Sequence, residues 1–432
     1  MKKIILIFIC YILFFKGVMA ESFFDALSKA FKNNSELNAE RENIKIFEEE
    51  YKISQSSYLP TISLEGTKSK EDTNKLTNRS GADVEINDID PTTTSISISQ
   101  TLIDFSRKAE LDKSTVKLEI AKAKLLKKEQ EILYKSIDAY ASLITALEKL
   151  KINKSNVDLL NRQAETDRIR FERGQISLSD VSQSESSFAG AQAQYIQAEN
   201  DFITNKLNYE NIIGSIKDVN SLDKKTITDF ILPKNLIDAI EISKKNNPDL
   251  IIARLEYDNA LNEKLIARSG FKPTAKISLE RSYTEDLSTI YDEREKDTLK
   301  ATLSWPFYSG GKNWAQLRKS ESLRNKTKLT LDSVSKQNQT KVASAWSSYQ
   351  SNKSLLNAVQ LQLKSAEIAN EGIKAEYNSG SSGRTTMEVI QSNSLLLDAQ
   401  LSLANSERNF ILSKFNLLRS VGLLSSKHLK IR

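Results

Sequence analysis

Hydrophobic positions along this chain switch between two periods, and they do so twice. From Ser22 to about Tyr58 the spacing is helical. Leu59-Pro60 ends that stretch, because proline disfavours the helical conformation in the residue before it. Strict alternation follows, with Ile62 and Leu64 set against Thr61, Ser63 and Glu65. After a polar stretch, Ile96, Ile98, Gln100 and Leu102 alternate with Ser95, Ser97, Ser99 and Thr101. One apolar and one small polar face at period two predicts half-buried strands, here at about 60–68 and 94–103. The second half copies this, with strands at about 273–284 and 297–308. Ile277 and Leu279 follow Pro273, and Leu299, Ala301, Leu303, Trp305 and Phe307 alternate with Lys300, Thr302 and Ser304.

Helical spacing returns after Asp104 and again after Ser309-Gly310-Gly311. The first of these runs predicts a helix to about Arg173, roughly 100 Å long at about 1.5 Å per residue. It carries Leu111, Leu118, Leu125, Ile132, Ala139 and Ala146 at intervals of seven. A second row, Leu126, Leu133, Tyr140 and Leu147, is displaced by one position, about 100° around the helix. One row is an ordinary coiled-coil seam. Two rows predict a packing neighbour on each side, as in a cylinder of helices; a two-helix coiled coil with a wide stripe is the alternative.

The two halves repeat in detail. Phe24-Asp25-Ala26, Asn33-Asn34, Leu37, Arg41 and Pro60 match Ile237-Asp238-Ala239, Asn246-Asn247, Leu250, Arg254 and Pro273 at a constant offset of 213. Val181, Phe188, Tyr195, Phe202, Tyr209 and Gly214 match Val389, Leu396, Leu403, Phe410, Leu417 and Gly422 at an offset of 208. The organisation expected is a signal segment at 1–20, repeats at 21–214 and 236–422 separated by a linker at 215–235, and a tail at 423–432. In the signal segment Lys2 and Lys3 precede the apolar run from Ile4 to Phe15, and Val18-Met19-Ala20 offers small residues for cleavage. An exported mature chain would begin at Glu21 without the single cysteine, Cys10, whose reading as a lipid anchor is disfavoured by the large Ile9 before it.

Four strands of about ten residues are long enough to cross a membrane at a tilt, and a membrane barrel gives each strand one apolar and one polar face. Two hairpins cannot close a barrel, since bacterial barrels have at least about eight strands, and open edges in lipid leave backbone groups unpaired. A membrane location therefore requires several copies sharing one barrel. The connections Ser69–Pro91 and Glu285–Asp297 are acidic, with Glu71, Asp72, Asp83, Glu85, Asp88 and Asp90 in the first and Glu285, Asp286, Asp292, Glu293, Glu295 and Asp297 in the second. They are expected to be external loops. Trp305, Phe307, Tyr308 and Trp314 fall where strand meets helix, consistent with an interfacial aromatic belt or with plain core packing.

Composition narrows the classes. Gly at 13 and Pro at 6 of 432 residues leave few corners, so long elements must dominate. A hydrophobic share of 39% with 27% charged residues excludes a bundle of membrane-crossing helices. One Cys and one His exclude a disulfide scaffold, a zinc site and most His- or Cys-based catalysis. His428 lies at the C-terminus, and the Ser-rich stretch from Ser182 to Ser187 lacks a base, so no catalytic site, cofactor or metal is expected. A net charge of +6 without a basic block argues against nucleic acid as a partner.

The duplicated helix–Pro-strand units, with Leu59-Pro60 in the first, the strand ends Ser99-Gln100-Thr101-Leu102-Ile103 and Ser304-Trp305-Pro306-Phe307-Tyr308, and the terminal Gly214 and Gly422 resemble the TolC family of outer-membrane channel proteins. The resemblance covers essentially the whole mature chain. It implies a mixed α/β membrane protein: a long α-helical barrel, or coiled-coil tunnel, continuous with a trimer-shared transmembrane β-barrel to which each chain gives four strands. Such a homotrimer sits in the outer membrane with its helices in the periplasm. It docks with a periplasmic adaptor and an inner-membrane transporter, ABC or proton-driven, and acts as a passive exit duct for drugs or polypeptides. A periplasmic adaptor or coiled-coil spacer without a barrel is the competing reading. The resemblance places hairpin-tip turns at Gly174 and Gly380, the pore constriction at Glu388 and Gln391, and a tip latch of Tyr377 and Arg384 reaching to Asp180 beside Ser179. Pro306, Gly310 and Gly311 would form a strand-to-helix corner. Phe105 and Ser106 replace the family's usual glycine pair, and Thr101 its proline, so the first corner is expected to differ.

Overall fold

The computed structural model describes residues 22–84, 89–216, 218–222, 224, 232–288, 291–379, 383–429 and 431. The signal segment with Cys10, the loop residues Glu85 and Asp88, Gly380 and part of the 215–235 linker lie outside them. The described chain forms two compact units, one from residues up to Arg41 with Lys124–Ile251 and Val334–Arg432, the other from Glu42–Ala123 and Ile252–Ser333.

In the first unit, α1 (Phe23–Asn33) starts at a capping box. Ser22 accepts from the Asp25 amide while the Asp25 carboxylate accepts from Ser22, which satisfies amides that the helix start leaves free. The duplicated aspartate does the same work in α5 (Leu236–Asn246), where Asn235 accepts from Asp238 N at 2.8 Å and the Asp238 carboxylate from Lys234 N. The single helix expected from Ser22 to Tyr58 is in fact two. The Asn34 side chain accepts from Leu37 N at 3.0 Å and opens α2 (Ser35–Ser56). Asn247 accepts from Asp249 and Leu250 and opens α6 (Pro248–Ser269), whose first residue is a proline with no amide to satisfy.

Two antiparallel hairpins of long helices follow, α3 (Arg107–Glu172) with α4 (Leu178–Ile212) and α7 (Lys312–Ser379) with α8 (Thr386–Ser420). Both rows on α3 are used: Ile132, Leu133, Ala139, Tyr140 and Ala146 are all buried. Phe23 of α1 fills the centre of this core, its ring 5.2 Å from Tyr140 and 5.9 Å from Phe415. Ala239 of α5 makes the corresponding contact with Val342, Ala345, Leu417 and Val421. The terminal glycines close the hairpins. Gly422 has φ +82, and a Cβ there would lie 2.3 Å from the Asn246 carbonyl, so only glycine lets the chain end α8 against α5. No described helix is long and apolar enough to cross a membrane.

In the second unit, β1 (Thr61–Lys68), β2 (Thr92–Ile103), β3 (Thr274–Glu285) and β4 (Glu293–Ser304) form one antiparallel sheet in the order β1-β2-β3-β4. The central pairing, β2 with β3, joins the two halves, while β1 and β4 are edges. Cross-strand partners share a face. Ile62, Ile98, Leu279 and Leu299 thus form one apolar rung, and Thr61, Ser99, Ser278 and Lys300 form the next on the opposite face. Hydroxyl pairs Thr61–Ser99 and Ser63–Ser97, each 2.8 Å apart, knit that polar face.

The fourth strand lies earlier than 297–308: it begins at Glu293 and stops at Ser304. Pro306 has no amide for the ladder, so Trp305 to Tyr308 leave the sheet although their alternation continues it. Phe307 and Tyr308 stand almost fully exposed, and Trp305 donates to the Phe271 carbonyl at 3.1 Å. The turn into α7 uses Gly310 and Gly311 at φ +60 and +83. The first corner is built differently, as expected: Asp104 accepts from both the amide and the hydroxyl of Ser106 at 2.8 Å, with no left-handed residue. In the described part of the first acidic connection, Glu71 pairs with Ile89 and Thr77 with Asp83.

Candidate functional site

The four long helices end together in the first unit. At the first tip α3 closes on Gly174, φ +69, through bonds from Gly174 N to Phe171 O and from Gln175 N to Arg170 O. Ser177 then caps α4 in a box with Asp180. At the second tip Gly383 is left-handed, φ +66, and Thr385 caps α8 in a box with Glu388. Asp180 and Glu388 are 208 residues apart, the offset of the repeat, so both occupy one position of the plan.

Within the chain, Asp180, Tyr377 and Arg384 take separate partners. The Asp180 carboxylate is held by Ser177, and the hydroxyl and amide of Ser177 keep its pKa below the usual carboxylate value. Among the described residues of the chain, no ion pair joins Arg384 to Asp180. Arg384 donates to Glu376 at 2.7 Å and to Glu388 at 2.8 Å, stapling the end of α7 to the start of α8. The physical reason is local: a carboxylate three residues after a cap is drawn to its own helix start before any distant partner. Ser179 is exposed in the first turn of α4. Glu388 has its pKa lowered by the Thr385 amide first and then by Arg384. Glu388 and Gln391 are brought together, lining one side of a groove of about 350 Å³ between α7 and α8 with Gln362, Ile373 and Leu395.

Tyr377 turns elsewhere. Its hydroxyl donates to Asp167 of α3 at 3.0 Å and lies 3.0 Å from the Thr386 hydroxyl of α8, with the Arg170 guanidinium 4.5 Å above its ring. Burial raises the Tyr377 pKa. Asp167 is fully buried, and Gln163 donates to both its oxygens at 3.0 Å while Ser184 of α4 donates at 2.5 Å. One carboxylate thus ties α3, α4 and α7 directly, and α8 through Tyr377. No sequence expectation included Asp167. The signal was present: Asn153, Leu160 and Asp167 continue the seven-residue row from Ala146, and all are buried. A carboxylate in a seam register needs a tertiary partner.

Long helical hairpins tied at their tips, with a four-stranded sheet that is apolar on one face and open at both edges, define a channel-forming protein of the bacterial outer membrane. The family model described as outer membrane efflux protein matches residues 26–215 and 239–423, the two repeats, and the chain belongs to that family. Outer membrane efflux protein BepC of Brucella suis is 24% identical over 96% of this chain and 89% of its own length. Outer membrane protein TolC of Escherichia coli is 23% identical over 78% of this chain and 71% of its own. The solved structure of VceC from Vibrio cholerae shares the fold, with a TM-score of 0.76 at 17% identity over 92% of this chain and 95% of that one. The protein is therefore an outer-membrane efflux channel with its helical part in the periplasm, in a family of transport channels rather than enzymes. The adaptor reading is set aside by the same match.

Proposed function

We propose that three copies of this chain close a twelve-stranded barrel and form a passive exit duct of a tripartite efflux or type I secretion system. It is loaded through a periplasmic adaptor by an inner-membrane ABC or proton-driven transporter. The observation that carries this is the sheet: an apolar face on four strands whose edges β1 and β4 have no further strand partner among the described residues. Such a sheet can enter lipid only when its edges are closed, and four strands are too few to close on themselves. The resemblance to TolC-type channels supports three copies. No catalytic step and no cofactor belong to this function; the transporter supplies the energy.

In this reading Glu388 and Gln391 face the narrow end of the duct, and Asp167 with Tyr377 is the tie that opening must break. A bond from the second hairpin to a buried carboxylate on the first is made only when the two lie together. The test is the mass of the detergent-purified full chain together with its current in a planar bilayer. A trimer carrying discrete current steps is expected. A folded monomer without current would refute the duct.

A further inference from the structure

The register places every charged side chain of the sheet on a definite face. On the face that also carries the apolar rungs, Arg281 pairs with Glu295 at 3.1 Å and lies 3.9 Å from Asp297, so its cation is matched by acids of the same face. The opposite face is different. Its rungs are Lys276–Thr302, then Thr61–Ser99–Ser278–Lys300, Ser63–Ser97–Glu280–Thr298, Glu65–Ser95–Ser282–Lys296 and Thr67–Thr93–Thr284–Arg294. Lys276, Lys300, Lys296 and Arg294 are all exposed, and no ion pair joins any of them to an acid among the described residues. Only Glu65 and Glu280 oppose them on this face.

With the apolar face in lipid, these rungs line the lumen. We propose that they form an electropositive collar inside the barrel that favours anions, and that it fits the duct to acidic cargo such as polypeptides rich in Asp and Glu. The proposal rests on the shared-barrel reading above. Twelve strands at about 4.8 Å spacing and roughly 40° tilt give a backbone radius of about 12 Å, and side chains narrow the free radius further. At physiological salt the Debye length is about 8 Å, so the whole cross-section lies near the charged wall. Each chain contributes four cations against two carboxylates, and the cations extend along eight residues of β4 between the partner of Lys276 and Arg294, about 27 Å of strand. A wall with an excess of one sign sets the ion preference of a pore and the local concentration of charged solute within it.

The experiment compares the full chain with the variant Lys276→Gln, Arg294→Gln, Lys296→Gln, Lys300→Gln, reconstituted from detergent into planar bilayers under a KCl gradient. The four changes leave two carboxylates per chain in excess. The chloride-to-potassium permeability ratio is expected to fall at least about three-fold, as removing a charged ring does in pores generally. The fall should be similar in a Glu388→Gln background, which separates the collar from the acidic tip. Decaglutamate should interrupt wild-type current at lower concentration than decalysine does, and the variant should lose that preference. Lys300→Gln alone should move the ratio in the same direction, which covers poor folding of the fourfold variant. Wild-type selectivity in a conducting variant would overturn the collar while leaving the duct intact. A folded wild type that carries no current would overturn the duct and the collar with it.

Discussion

Replacing Tyr377 with Phe removes one hydroxyl and keeps the ring beneath Arg170. The lost bond joins the second hairpin to the buried Asp167 of the first. A hydrogen bond to a charged acceptor contributes about 1.5–3 kcal/mol. Asp167 keeps Gln163 and Ser184, so the carboxylate is not stranded and the change stays near that range. If the bond exists only with the tips together, the loss multiplies the open-to-closed ratio by about 10 to 140 per chain, at tenfold per about 1.4 kcal/mol. Single-channel recording in bilayers reads this as a higher open fraction or larger steps. Ser184→Ala is the control, because its bond to Asp167 stays within one hairpin and survives opening. It should lower thermal stability without changing the open fraction. Equal gating in wild type and Tyr377→Phe, or equal changes in Tyr377→Phe and Ser184→Ala, would refute the tie.

Other expectations follow from the same geometry. Gly422→Ala should destabilise the fold by several kcal/mol, since its Cβ meets the Asn246 carbonyl at 2.3 Å in a left-handed conformation, whereas Gly310→Ala, in open space, should cost about 1 kcal/mol; thermal melting separates them. Asp180 and Glu388 have lowered pKa values, so their stabilisation of the helix starts is complete above the ordinary carboxylate range. It is lost as pH falls through their folded values. Hydrogen-exchange protection factors at the first turns of α4 and α8, corrected for the intrinsic pH dependence of exchange, should therefore fall below about pH 4 and be flat between pH 6 and 8. Glu388→Gln should reduce cation preference in the reversal potential, and an unchanged value would remove Glu388 from the constriction.

The strands were legible because a proline stops a helix and alternation marks a two-faced sheet. The end of β4 was not, since Trp305 and Phe307 prolong the alternation that Pro306 interrupts in the backbone. The break at Asn34 left the hydrophobic period almost undisturbed; its trace was the duplicated asparagine pair, whose side chain starts the next helix. At the tips, the resemblance located Tyr377, Arg384 and Glu388 in one region but not their bonds. Ser177 with Asp180 and Thr385 with Glu388 are capping pairs readable three residues apart, and that short-range pattern governs both acids. Asp167 could be suspected from its place in the seam, but its partner lies 210 residues away, beyond any local pattern.

The pairing of β2 with β3 has a consequence for assembly. It joins the second strand of one repeat to the first strand of the next, the same kind of junction that β4 of one copy would make with β1 of another in the proposed ring. A ring of three chains would then have pseudo-sixfold order, with three junctions made during folding and three made by association. The chain rehearses its own oligomer contact in miniature. In such a ring duplication halves the number of encounters needed for closure, and it leaves each half free to diverge, as the unlike corners at Ser106 and Gly310 already have.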